Sequence, residues 1–295
     1  MNFRTIALKD RELFERYRID EGYYGCNLDF NTLFLWNIQD GTTIFEDAAA
    51  IYVEAKYFRH IIFFPPIMKA VKADMTEAVE KMYRYSRDKG QRFILKALSK
   101  DMLARIDKDF LSGFEVIEDR NNFDYIYRSV DLINLPGKAF HGKRNHINQF
   151  MNAYKYEFRP YGAGDYRSVM DLCEEWASYQ TDVKGAAAEK LAITCALQNM
   201  DALGLSAAVI IIDGAVRAFT VGSKSYNDMG IVYFEKADIN YKGIYAAINN
   251  FFAKEYFSGV SYINRQEDMG IENLRKSKLS YNPAFLVEKY IIYDK

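Results

Sequence analysis

The sequence predicts a mixed α+β protein of two tandem domains, each a mixed, mostly antiparallel sheet flanked by helices. Three observations carry this. The 295 residues amount to about two domains at ~150 residues each. Short β-rich runs alternate with amphipathic stretches along the whole chain. The order of those elements in the first half is loosely repeated in the second.

In the second half, Tyr156–Arg159 reads as a short strand, and Asp165 as the N-cap of a helix over Tyr166–Tyr179. A second helix covers Ala187–Asn199. Leu205–Ile212 and Ala215–Val221 are β-rich runs joined by Asp213-Gly214, a strong hairpin signal. A strand follows over Met229–Lys236, then a helix over Gly243–Phe257 with Ile244, Ile248, Phe251 and Phe252 on its apolar side. Val260–Asn264 is a strand, Gly270–Ser277 a helix, and Val287–Tyr293 a last strand.

The first half offers a helix near Asp29–Trp36, a hairpin of Thr42–Phe45 with Ile51–Glu54, and a strand at Ile61–Phe64. A helix over Met75–Asp88, a strand at Phe93–Leu98, a helix over Lys100–Phe110 and a strand at Tyr125–Arg128 complete it. Turn residues and basic charge cluster near Pro136-Gly137 and Pro160–Gly164, the two candidate boundaries. The expected layout is an N-terminal domain over 1–135, a connector over 136–155 and a C-terminal domain over 156–295.

Composition narrows the function. The net charge of −1 gives no bulk attraction to nucleic acid or to a membrane surface. The three cysteines, Cys26, Cys173 and Cys195, show no CxxC or Cys/His spacing, so no metal is expected and the thiols read as reduced in a cytoplasmic protein. The charged start, MNFRTIALKDRELFERY, does not read as a signal peptide. No apolar run approaches the ~18 residues of a membrane span.

Chemistry concentrates in Ile231–Phe252, IVYFEKADINYKGIYAAINNFF. A β-run leads through a polar loop to a glycine at a helix start. A helix N-terminus leaves N–H groups unpaired and favours negative charge. Gly243 lets an anion approach the backbone, and Lys242 adds a cation. The run Asn240-x-x-Gly243-x-Tyr245 resembles the pyrophosphate-binding pattern Q/R-x-x-G-x-G/A of GNAT proteins, with Asn and Tyr at variant positions. The resemblance implies CoA or an acyl-CoA lying along Val232, Tyr233 and Phe234, with its pyrophosphate at Asn240, Tyr241, Lys242, Gly243, Ile244 and Tyr245. The first half has no glycine between Pro65 and Lys89, so that domain is expected to lack a donor site.

Two further stretches, Phe123–Tyr154 (FDYIYRSVDLINLPGKAFHGKRNHINQFMNAY) and Tyr262–Tyr293 (YINRQEDMGIENLRKSKLSYNPAFLVEKYIIY), resemble the soluble bacterial family related to the C-terminal domain of phosphatidylglycerol lysyltransferase. That family is built of two tandem GNAT-like folds. The resemblance implies an acyltransferase moving an acyl group to an amine acceptor, a small molecule or peptide. An aminoacyl-tRNA-dependent transferase is the alternative, less favoured because tRNA binding leans on many phosphate contacts; a non-catalytic CoA- or nucleotide-binding module is a third.

Candidate roles follow. Alternation puts Ile231, Tyr233 and Glu235 on one face, where Glu235 can accept a proton from an attacking amine. The resemblance implies Tyr281 as the acid that protonates the leaving thiolate, with a packing tyrosine as the alternative. It also implies that strands splay at Asn264, so that Asn264, Arg265 and Glu267 face the acceptor. Lys143 and Arg144, in the basic cluster Lys138–His146, are expected to contact an acidic ligand or to form a solvated helix face.

Overall fold

The computed structural model describes residues 1–17, 23–57, 60–70 and 72–295. Its contacts divide the chain into two units. One holds Met1–Asp124, Glu267–Gly270 and Leu286–Lys295; the other holds Tyr125–Gln266 and Ile271–Phe285.

The first unit is built on a seven-stranded sheet, in the order Arg4–Thr5, Thr43–Glu46, Ala50–Tyr57, His60–Met68, Ile94–Leu98, Tyr290–Asp294 and Phe114–Glu118. All its pairings are antiparallel except that of His60–Met68 with Ile94–Leu98. The crossover between those two is the helix Thr76–Asp88, which buries Ala78, Val79, Met82 and Ser86 at helical spacing. Asp74 accepts the Thr76 N–H at 2.7 Å, so a carboxylate of the chain already sits at that helix start. The single helix expected over Lys100–Phe110 is instead two, Lys100–Leu103 and Lys108–Leu111. Asp107 breaks it by accepting the Phe110 N–H at 2.9 Å, the competition with helix that favours Asp at caps.

The second unit repeats the plan. Its sheet runs Phe285–Val287, Asp124–Arg128, Tyr262–Asn264, Met229–Ala237, Ala215–Ser225, Ser206–Ile212 and Tyr156–Pro160. Asp213 and Gly214 both take positive φ, at 52° and 77°, and close the expected hairpin. Met229–Ala237 is parallel to Tyr262–Asn264, and the helix Ile244–Tyr256 makes the crossover. Ile244, Ala247 and Ile248 of this helix pack with Ile210, Ile212 and Ala218 of the sheet.

Three local expectations are corrected. Tyr125–Arg128, read with the first half, pairs with Tyr262–Asn264 in the second sheet. The last strand, read with the second half, is Tyr290–Asp294, and it pairs with Ile94–Leu98 and Phe114–Glu118 in the first sheet. Element order along a chain does not state which sheet edge a short strand completes. Asp165 does not cap Tyr166–Ser178 with its side chain. Its carboxylate accepts Arg159 Nη1–H and Nη2–H, each at 2.7 Å, and the Gly162 N–H at 2.8 Å. The bidentate charged pair outcompetes a neutral cap.

The returning C-terminal segment is fixed by a buried ion pair within the first unit. Lys289 Nζ lies 2.6 Å from Asp124 Oδ1, with the two side chains 1% and 0% exposed. Burial opposes the ammonium charge, but Asp124 outweighs it and holds the lysine protonated. Lys289→Met leaves the buried Asp124 carboxylate without its counter-charge and is expected to cost about 3–5 kcal/mol, read as a lower urea midpoint. Adding Asp124→Asn, which removes the charge, is expected to recover most of that loss.

Candidate functional site

The chemistry of the second unit gathers where two parallel strands part. Met229, Gly230 and Ile231 pair with Tyr262, Ile263 and Asn264, and the ladder ends there. From Val232 onward that edge of the strand has no ladder partner among the described residues. Beyond the split, Arg265 reaches across to Glu235, with Nη2 2.8 Å from Oε1 and the side chains 12% and 11% exposed. The second carboxylate oxygen of Glu235 accepts Asn249 Nδ2 at 3.0 Å, from the crossover helix. Thr220 faces Glu235 across the neighbouring strand.

Aromatic rings enclose the guanidinium. Its carbon lies 4.7 Å from the Tyr281 ring centroid and 5.7 Å from that of Tyr127. Lys143 Nζ stands 3.7 Å from the Tyr281 centroid, so two cations share one ring. The loop that aims Arg265 is pinned by Lys278, whose ammonium donates to the carbonyls of Arg265 at 2.6 Å and Gln266 at 3.1 Å. Gln266 takes a φ of 58°, and the Asn264 side chain supports that turn by accepting the Gln266 N–H at 2.6 Å.

Burial sets the proton affinities. It pushes the Tyr281 phenol up to about 12, helped by the charge of Glu235 and opposed by Arg265. Tyr127 is raised for the same first reason. Burial also opposes the Arg265 charge, but Glu235 and the phenols outweigh it. Lys143 is brought down to about 8, by burial first and the Arg265 charge second, with Glu235 opposing. Three buried polar atoms here, Arg265 Nη1, Asn249 Oδ1 and Thr220 Oγ1, have no hydrogen-bond partner among the described residues.

Of the residues singled out from sequence, Glu235, Arg265, Tyr281 and Lys143 meet in this cluster. Arg144 turns away and donates to the carbonyls of Leu135 and Gly137. Glu267 belongs to the first unit, where its carboxylate, Cys26 and Asp124 bring three potential ligand atoms within 4.8 Å. Lys289 already supplies a cation to Asp124 there. Asn249, Thr220 and Tyr127 were missed. An asparagine pair inside the apolar helix run IYAAINNFF was the available signal for Asn249. Its neighbour Asn250 has a separate task, donating to the carbonyls of Leu132 and Ile133.

The turn expected to cradle a pyrophosphate is occupied by the protein itself. Gly243 has a φ of 88°, and a Cβ there would collide with the His146 carbonyl oxygen of the helix His141–Ala153. The close approach that requires glycine is therefore made by another helix. Asn240 bonds back to Asp238 with both its nitrogens at 2.9 Å. The Lys242 N–H points to Tyr154 Oη at 3.2 Å, and Tyr154 stacks edge-on against Tyr241. Ile244 is buried in the core. Tyr245 packs against the same core cluster, and burial raises its phenol to about 12. Val232, Tyr233 and Phe234 are buried, and Tyr233 Oη bonds Ser223 Oγ at 2.9 Å.

Two sheets, each with a helix crossing between parallel strands, define a tandem GNAT-like fold, the class to which acyl- and aminoacyl-transferase folds belong. The family model described as phosphatidylglycerol lysyltransferase, C-terminal, matches residues 21–293, and the chain belongs to that family. A conserved protein of unknown function from Bacteroides thetaiotaomicron superposes over 100% of both chains with a TM-score of 0.89 and 32% identity. A tandem GNAT protein from the clavulanic acid biosynthesis pathway has a TM-score of 0.52 at 9% identity, covering 100% of this chain and 98% of that one. An uncharacterized protein of Mycoplasmoides gallisepticum is 26% identical over 211 residues, which are 65% of this chain and 66% of that protein. No helix among the described residues is long and apolar enough to cross a membrane.

Two outcomes follow from the site geometry. Gly243→Ala combines a left-handed backbone with a collision, and is expected to destabilise by roughly 2–4 kcal/mol in urea unfolding. Lys143 gives a pH signature. Its folded value of about 8 lies below the ~10.4 of an unfolded lysine. The unfolded chain thus holds more protons between those values, and this group makes stability rise with pH across them. Thermal melts of wild type and Lys143→Met are expected to diverge over that window, the variant lacking the rise.

Proposed function

We propose that the second unit transfers an acyl group at the cluster of Glu235, Arg265, Tyr281 and Lys143, from an aminoacyl ester of the aminoacyl-tRNA kind to an amine acceptor. The observation that carries this is the buried Arg265 Nη1, a charged N–H donor with no partner among the described residues, set where the strands part. A fixed donor of this kind stabilises the oxyanion that develops when an amine attacks a carbonyl, commonly the largest catalytic contribution. Glu235, held by Arg265 and Asn249, fixes the guanidinium in place.

The family name supports lysyl-type transfer. The filled turn at Gly243 favours a donor that does not place a pyrophosphate there. A CoA thioester is the second reading. It is supported by the strand edge at Val232–Phe234, which lacks a ladder partner beyond Ile231, and the same cluster would then serve a C–S bond in place of a C–O bond.

The test supplies the protein with acetyl-CoA in one arm and a mixture of charged aminoacyl-tRNAs in the other, with a panel of small and peptide amines, and follows products by mass spectrometry. Transfer from aminoacyl-tRNA, falling steeply with salt, is expected. Arg265→Lys, which keeps the charge and loses the planar fork, is expected to slow it about 100-fold. Folded protein that transfers from neither donor would sink the reading.

A further inference from the structure

The transfer step needs a proton acceptor, and the two groups that sequence reasoning nominates for proton transfer are both engaged. Glu235 has one oxygen on Arg265 and the other on Asn249. Tyr281 carries Arg265 and Lys143 against its ring, and burial pushes its phenol up to about 12, so it holds its own proton. Lys143 differs. Its Nζ rests on the Tyr281 ring, with no hydrogen bond or ion pair to any described side chain or carbonyl. It projects from the first turn of the helix His141–Ala153, a helix end whose positive dipole disfavours a second positive charge.

We propose, resting on the transferase reading above, that Lys143 is the proton acceptor of the transfer step. The acceptor amine attacks the donor carbonyl carbon. The N–C bond forms, the C–O (or C–S) bond breaks, and the leaving group departs with the bonding electron pair. The proton lost by the attacking nitrogen passes to the neutral Lys143 amine, and the resulting ammonium returns it to the departing oxygen or sulfur. Every atom is accounted for without a further reactant.

The charges facing Lys143 set its state. Arg265, from the loop after Tyr262–Asn264, works against protonation; Glu235, from Met229–Ala237, works for it; Tyr281, after the helix Glu272–Leu279, offers its ring. On its own helix, Arg144 is drawn off by the Leu135 and Gly137 carbonyls, His141 pairs with Asn145 at 3.0 Å, and His146 is exposed. The balance brings Lys143 to about 8, near the working pH at which a base is most effective.

The experiment has two arms. Full-length protein is labelled with p-nitrophenyl acetate, which acylates neutral amines, between about pH 6 and pH 11, and acetylation is mapped per lysine. Labelling of Lys143 is expected to be half-maximal near pH 8, with the exposed Lys138 as reference. In the second arm, transfer by Lys143→Arg from the donor found active above is expected to fall at least about 100-fold, because arginine keeps the charge but cannot take the proton. Methylamine is expected to restore part of the rate of Lys143→Ala. Transfer by Lys143→Arg at the wild-type rate, or labelling that follows an ordinary lysine, overturns the proposal while leaving the transferase reading in place. Wild-type protein that transfers from neither donor removes that reading and this role together.

Discussion

The ion pair between Arg265 and Glu235 organises the second unit's chemistry. Parallel strands that part after three paired residues leave polar backbone and a wedge of space, and something must satisfy both. Here a carboxylate from one strand and a guanidinium from the loop after the other close the wedge, roofed by two tyrosine rings. Removing both charges from water is costly unless each finds partners. Glu235 finds two, and Arg265 keeps one nitrogen in reserve. Three neighbours hold the pair in place: Lys278 bonds the loop carbonyls, Asn249 bonds Glu235, and Tyr127 bonds the Lys278 carbonyl at 2.8 Å.

Legibility in the sequence followed the range of the interactions involved. Hairpins, crossover helices and the doubled plan rest on local periodicity and turn residues, and Asp213-Gly214 or the run Met229–Ala237 declare themselves in a few letters. The partners of short edge strands do not. Asp124–Arg128 and Tyr290–Asp294 are both short, Tyr- and Ile-rich strands, and only distant neighbours decide which sheet each completes. The site divides along the same line. Glu235 and Arg265 flank recognisable strand ends, whereas Asn249 and Thr220 are polar residues in apolar stretches whose meaning appears only when the helix lies over the sheet.

Gly243 shows how one residue type answers two physical demands. Glycine at a helix start permits an anion to touch the backbone, and it equally permits another helix to touch it. The spacing of Asn240, Gly243 and Tyr245 is compatible with both. The His146 carbonyl and the Tyr154 hydroxyl make the second demand the one met in this chain. Any function for this unit has to be written around that packed helix crossing.

The returning strand Tyr290–Asp294 carries a consequence for biosynthesis. Its neighbours in the sheet, Ile94–Leu98 and Phe114–Glu118, are translated more than half the sequence earlier. Until Tyr290–Asp294 has been made, the first sheet has an open seam between Ile94–Leu98 and Phe114–Glu118, with both β-edges exposed. Such long-range closure is slow and leaves edges open to misassociation in the interval. The buried Lys289, just before that strand, then clasps the seam through Asp124, so the sheet begun earliest along the chain closes only after this late strand has been made.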